Sequence, residues 1–85
     1  MFHTLESVQQ HIIGYLRAKL GGSLEVNEHS RLIQDLNITS LQVFEIMEEI
    51  EETYQIVVPL EVLYQPRLQT VSDLAEEVMH LLKKS

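Results

Sequence analysis

Apolar residues recur along the chain in three stretches at the spacing of a helix face, and between them the pattern breaks. Leu5, Val8, Ile12, Tyr15, Leu16 and Leu20 place one apolar stripe on a helix over about 5–20. Thr4 stands where a cap belongs, Glu6 falls favourably in the first turn, and Gly21-Gly22 ends the run. From Ser23 to Ile38 no period holds. Leu24, Val26, Leu32, Ile33, Leu36 and Ile38 are nevertheless too many apolar residues for a free linker. This stretch is expected to be a long loop pinned onto the helices, the kind of segment that carries function.

The second helix, over about 40–54, has the clearest start. Thr39-Ser40-Leu41-Gln42 fits a capping box, in which the Thr39 hydroxyl accepts from the Gln42 backbone and the Gln42 amide reaches back. Leu41, Val43, Phe44, Ile46, Met47, Ile50 and Tyr54 make a broad apolar stripe, and Glu45, Glu48, Glu49, Glu51 and Glu52 fill the remainder. Ile56-Val57-Val58 is β-branched and reads as a short extended piece. Pro59 then suits the first turn of a short third helix over about 60–65, which Pro66 stops. Thr70 or Ser72 caps a fourth helix over about 71–83, carrying Val71, Leu74, Val78, Leu81 and Leu82, with Lys83 and Lys84 at its C-terminal end. The pattern predicts an all-α fold: a four-helix bundle with a long loop between helices 1 and 2 and a short third helix, in a single domain over 1–85.

Composition narrows what such a fold does. With 85 residues and 45% hydrophobic content, the chain buries one small core and is not of disordered type. There is no cysteine, which removes disulfides, thiolate metal sites and cysteine nucleophiles together. No apolar run approaches a membrane span, and the N-terminus lacks the features of a signal peptide, so a cytoplasmic protein is expected. Net charge is −7. Between Arg31 and Arg67 no Lys or Arg occurs, while Asp35, Glu45, Glu48, Glu49, Glu51, Glu52 and Glu61 all fall there. Such a field repels nucleic acid and anionic lipid and attracts basic protein surfaces; a solvated, solubilising face explains the same charges. A monomer is expected.

Ser40 is the candidate site. In the first turn of a helix it presents a hydroxyl beside unpaired backbone N–H groups, where a phosphodiester meets the positive end of the helix dipole. Taken locally, Thr39 and Ser40 also describe an ordinary helix start. The wider run from Asp35 to Pro59 resembles the acyl carrier protein family, whose motif Asp-Leu-Gly-x-Asp-Ser-Leu precedes an acidic helix, an aromatic residue and Ile-Pro. Asp35, Leu36, Ser40, Leu41, Glu45, Ile46, Ile50, Glu51, Glu52, Tyr54, Val58 and Pro59 fall in register without a gap, and Thr70-Val71 looks like the opening of the family's last helix.

The resemblance implies a bundle of acyl-carrier type that catalyses nothing itself. It implies that Ser40 takes 4'-phosphopantetheine from coenzyme A by the action of a phosphopantetheinyl transferase. The arm's thiol would hold acyl groups as thioesters for fatty-acid, polyketide or related synthesis. Leu41, Gln42, Glu45, Glu48, Glu51 and Glu52 fall on the family's partner-recognition helix. Acyl-ligases, synthases or other acyl-processing enzymes would dock there through basic patches, with Glu45 and Glu51 exposed. Val43, Phe44, Ile46, Met47, Ile50, Val58 and Leu63 would line the core or an acyl cleft, and plain core packing accounts for each as well. Thr39 stands in place of the family's Asp, Asn37 in place of Gly, and Glu48 where fatty-acid carriers commonly have Met; Phe44 replaces a frequent Val. Residues 60–66 are similar to aminoacyl and peptidyl carriers of nonribosomal synthesis, which remains the alternative, alongside an unmodified carrier-like interaction domain.

Other chemistry is weaker. Asp35, Asn37 and Thr39 imitate the start of a calcium loop, but Ser40 replaces its glycine and Ile46 its bidentate glutamate. Glu76, Glu77 and His80 share a helix at metal-pair spacing and are expected on a solvated surface. His3, His11 and His29 have no acid at a meaningful spacing. No metal site and no nucleophile–base pair of an enzyme are expected.

Overall fold

The computed structural model describes residues 3–21, 25–59, 61 and 68–84. Within them the chain is all-helical, with α1 over Leu5–Leu20, α2 over Ser40–Tyr54 and α3 over Val71–Lys84. Each helix starts on a side chain that satisfies its first backbone donors. Thr4 accepts from the Ser7 N–H at 3.0 Å while the Ser7 hydroxyl accepts from the Thr4 N–H at 2.9 Å. The reciprocal bonds of Thr39 and Gln42 start α2. Thr70, rather than Ser72, starts α3: its hydroxyl accepts from the Asp73 N–H, and the Asp73 carboxylate accepts from the N–H groups of Gln69 and Thr70. Ser72 instead accepts from the Gln9 amide of α1. Gly21, at φ 90°, stops α1 by returning its N–H to the Arg17 carbonyl, a conformation costly for any residue with a Cβ.

The core is shared by all three helices. Val8, Ile12, Ile13 and Leu16 from α1 meet Ile46, Met47, Ile50 and Tyr54 from α2 and Val71, Leu74, Ala75 and Val78 from α3. Each such aliphatic side chain contributes about 1.5–3 kcal/mol through removal from water. The apolar face of α1 is rotated from the expected one: Leu5 is partly exposed and Ile13 is buried. The most extensive backbone approach between helices is that of α1 on α3.

The described part of the segment before α2 is irregular and pinned, as its apolar residues require. Val26, Leu36 and Ile38 are buried in the core. The Arg17 guanidinium donates to the Val26 carbonyl at 3.0 Å, the Leu32 N–H to Gln69, the Val71 N–H to Ser30 and the Ser72 N–H to Glu28. Asn37 adopts left-handed backbone at φ 53°, as expected of the residue replacing glycine. After α2, Ile56 and Val58 point into the core and Val57 points out, the alternation of an extended piece. The third helix expected over about 60–65 lies outside the described residues apart from Glu61, and so does Leu63. Three surface expectations fail, and the first is Glu45, expected to be exposed, which is half-buried against Lys19 of α1. Glu77 is buried, not solvated, because α3 turns that side inward between Leu74 and Val78. Glu51, expected to be exposed, is half-buried because its carboxylate accepts the Val58 N–H at 2.8 Å.

Candidate functional site

The N-terminus of α2 is a pre-set turn with an unused hydroxyl at its head. The Thr39 N–H donates to the Gln42 side-chain oxygen at 2.9 Å, and the Thr39 hydroxyl accepts the Gln42 N–H at 3.2 Å. That leaves the N–H groups of Ser40 and Leu41 without an acceptor among the described residues. Ser40 itself is exposed, and its hydroxyl makes no hydrogen bond to any of them. No acidic side chain lies in this first turn, so nothing there opposes an anion. Two free N–H groups and the positive end of the helix dipole favour a phosphate-bearing substituent on the hydroxyl.

Asp35, which leads into this turn, is held in place. Its carboxylate accepts the Arg31 N–H at 2.8 Å and both sides of the Arg31 guanidinium fork, at 3.1 and 3.3 Å. Those bonds hold the Asp35 carboxyl below the usual carboxylate range. The residue that opens the imitation of a calcium loop is thus spent on a turn, and among the described residues no cluster of three metal-ligating side chains forms.

The glutamates of α2 divide into two groups. Glu45 lies 3.5 Å from the Lys19 ammonium, and its backbone carbonyl accepts the Tyr15 hydroxyl. Glu49 accepts the His11 ring N–H and the Thr53 hydroxyl, each at 3.0 Å. Glu51 is bonded to Val58. Glu48 and Glu52 are exposed and meet no cation among the described residues. Of the residues expected for partner recognition, Leu41, Glu48 and Glu52 are exposed and make no side-chain bond among the described residues, while Gln42, Glu45 and Glu51 are engaged there.

Histidines expected to lack acids have them. Besides His11 with Glu49, His29 lies 3.6 Å from Glu28. His3 and His11 also set their rings edge-on against Tyr54, at 4.9 and 5.6 Å between centroids. Burial and the Glu49 carboxylate push the Tyr54 phenol up, which keeps it neutral. The spacing of His11, Tyr15 and Lys19 against Glu45, Glu49 and Thr53, four residues at each step, was the signal of this seam. It is readable only once the two helices are known to lie side by side.

Of the residues expected to line the core or a cleft, Ile46, Met47, Ile50 and Val58 are buried. Phe44 is not: it is 45% exposed on the same face as Leu41, which is 71% exposed. Val43 lines a cavity of about 240 Å³ with Leu32, Ile33 and Leu68, rimmed by Arg31, Gln34 and Gln69. The position of Phe44, three after Leu41, puts the two exposed side chains on one face of α2.

A family model described as the phosphopantetheine attachment site matches residues 10–78. A search of curated proteins finds no match. No helix among the described residues is long and apolar enough to cross a membrane. With the match running from Gln10 in α1 to Val78 in α3, the chain belongs to the phosphopantetheine attachment site family, the carrier domains on which 4'-phosphopantetheine is covalently attached.

Proposed function

We propose that this chain is an acyl carrier whose arm is attached through the Ser40 hydroxyl. The observation that carries the reading is the setting of that hydroxyl: exposed and, among the described residues, unpaired and beside two N–H groups without acceptors at the head of α2. The match to a phosphopantetheine-carrying family supports it. When attached, the arm supplies the thiol that this cysteine-free chain lacks. The chain's own residues hold the first turn through the Thr39–Gln42 box and offset phosphodiester charge through the Ser40 and Leu41 N–H groups. Residues 1–85 act as one carrier domain, with a short helix over about 60–65 completing a four-helix bundle. Catalysis belongs to partner enzymes.

The partner face is α2, within the set Leu41, Gln42, Glu45, Glu48, Glu51 and Glu52. The partners are a phosphopantetheinyl transferase and acyl-ligase, synthase or other acyl-processing enzymes with basic patches. Thr39, Phe44 and Glu48 depart from the pattern of fatty-acid carriers, which supports a specialised pathway such as polyketide or related secondary-metabolite synthesis. Incubation with coenzyme A and a transferase is expected to add the mass of one phosphopantetheine, seen by intact mass spectrometry, and Ser40→Ala to abolish it. A mass gain that survives Ser40→Ala would sink the assignment.

A further inference from the structure

We propose that Arg31 is a positioning residue for attachment of the arm: through Asp35 it fixes the approach of the chain to α2, and so the place of the Ser40 hydroxyl. The proposal rests on the carrier reading above and adds to it a residue outside α2, nine positions before Ser40.

Two sets of bonds meet at Arg31. On one side it pairs with the segment that starts α3: Arg31 and Thr70 form an antiparallel bridge, and the Leu32 N–H donates to the Gln69 carbonyl at 2.8 Å. Thr70 caps α3, so this end is anchored on a helix start. On the other side the chain folds back on itself. The Asp35 and Leu36 N–H groups donate to the Arg31 carbonyl at 3.0 and 3.1 Å, and those of Ile38 and Asn37 donate to Leu32 and Ile33, each at 3.1 Å. Ile38 is then buried, and Thr39 caps α2. Little free length remains between Arg31 and Ser40 to absorb a shift of the turn.

The two side chains close this turn. The Asp35 carboxylate accepts the Arg31 backbone N–H at 2.8 Å and the guanidinium Nε and Nη2 groups at 3.3 and 3.1 Å. A forked bond of this kind fixes orientation as well as distance, which a single ammonium does not. The pair stands in solvent, so it adds only modestly to the stability of the whole domain. Its effect is local, on the arrangement of residues 31–38. Arg31 is also the last Lys or Arg before Arg67, and its charge is engaged by Asp35 inside the molecule. Attachment breaks the pyrophosphate of coenzyme A: the Ser40 oxygen bonds the phosphopantetheine phosphorus, the adenosine bisphosphate leaves, and the hydroxyl proton passes to the transferase. Displacement of a reacting atom by about an ångström slows such a step strongly.

The test follows the coenzyme A-dependent mass gain of the unmodified chain with a broad-specificity transferase, fitting kcat and KM for the chain as substrate. Arg31→Ala should lower kcat about tenfold, with KM within about twofold of wild type and a melting temperature lower by no more than a few degrees. A chain that was merely less folded would present less substrate and raise KM instead. Arg31→Lys should recover part of the loss, because the charge stays and the fork does not. Asp35→Ala should cost at least as much as Arg31→Ala, and the double variant no more than Asp35→Ala alone, as when two residues act through one pair. His29→Gln, at the exposed pair with Glu28, should leave both constants within about twofold of wild type. A wild-type kcat for Arg31→Ala would overturn the positioning role. So would losses that add in the double variant, or a loss confined to KM, either of which would make Arg31 a direct contact of the transferase or of coenzyme A. A wild-type chain that takes up no arm, or a Ser40→Ala chain that still does, would overturn the carrier reading itself, and this inference with it.

Discussion

Thr39 performs at the head of α2 the capping that an aspartate would perform, but without its charge. The hydroxyl accepts the Gln42 N–H, and the Gln42 side chain returns the bond. An aspartate there would add a negative charge next to Ser40; threonine leaves the two free N–H groups as the dominant local field. Thr39→Ala should cost about 1 kcal/mol in urea denaturation, the usual worth of a lost cap. Thr39→Asp should retain that stability. An alanine variant as stable as wild type would mean that the turn is held by packing of Ile38 instead.

Asp35 gives a second residue-scale expectation. Its folded carboxyl titrates below its ordinary range because Arg31 bonds the ionised form. A carboxyl depressed in this way contributes stability above its unfolded pKa and loses that contribution as pH falls through the folded value. Melting temperature measured against pH should therefore fall below about pH 4, and Asp35→Asn should fall less steeply over that window. Parallel curves would show that the Arg31 pairing adds nothing to folding.

Among the elements, α2 has two different sides of polar contact. Its seam with α1 runs from Lys19 and Tyr15 on Glu45, through His11 on Glu49, to the rings of His3 and Tyr54. At its far end Glu51 accepts the Val58 N–H and so fixes the direction in which the chain leaves the helix. Glu51→Ala leaves that part-buried donor unpaired and should cost about 1–3 kcal/mol, whereas Glu48→Gln should stay within about 0.5 kcal/mol of wild type. Urea denaturation of both variants checks the contrast; equal values would return Glu51 to the exposed face. The helices themselves were legible from spacing and caps. The division of the glutamates was not, because a run of Glu45, Glu48, Glu49, Glu51 and Glu52 looks uniformly solvated until α1 and Val58 are placed against it.

At the scale of the whole molecule, a small shared core leaves little stability in reserve. Leu16 is fully buried between the helices, so Leu16→Ala should cost about 2–5 kcal/mol by calorimetric or chemical unfolding, a large share of the total for a domain this size. A loss under 1 kcal/mol would mean that the site collapses around the shortened side chain.

Sequence alone determined where α1 and α2 run, the capping box at Thr39 and the position of Ser40 one residue inside a helix, while the cap of α3 stayed open between Thr70 and Ser72. These depend on contacts three or four residues apart, which the chain carries in its own spacing. Tertiary structure decided which side chains are free. It buried Glu77 and Ile13, spent Glu45, Glu49 and Glu51 inside the molecule, gave His11 an acid and turned Phe44 outward. Each of those outcomes depends on which segment lies beside the residue in space, and residues as far apart as His11 and Glu49 meet only after the helices have packed.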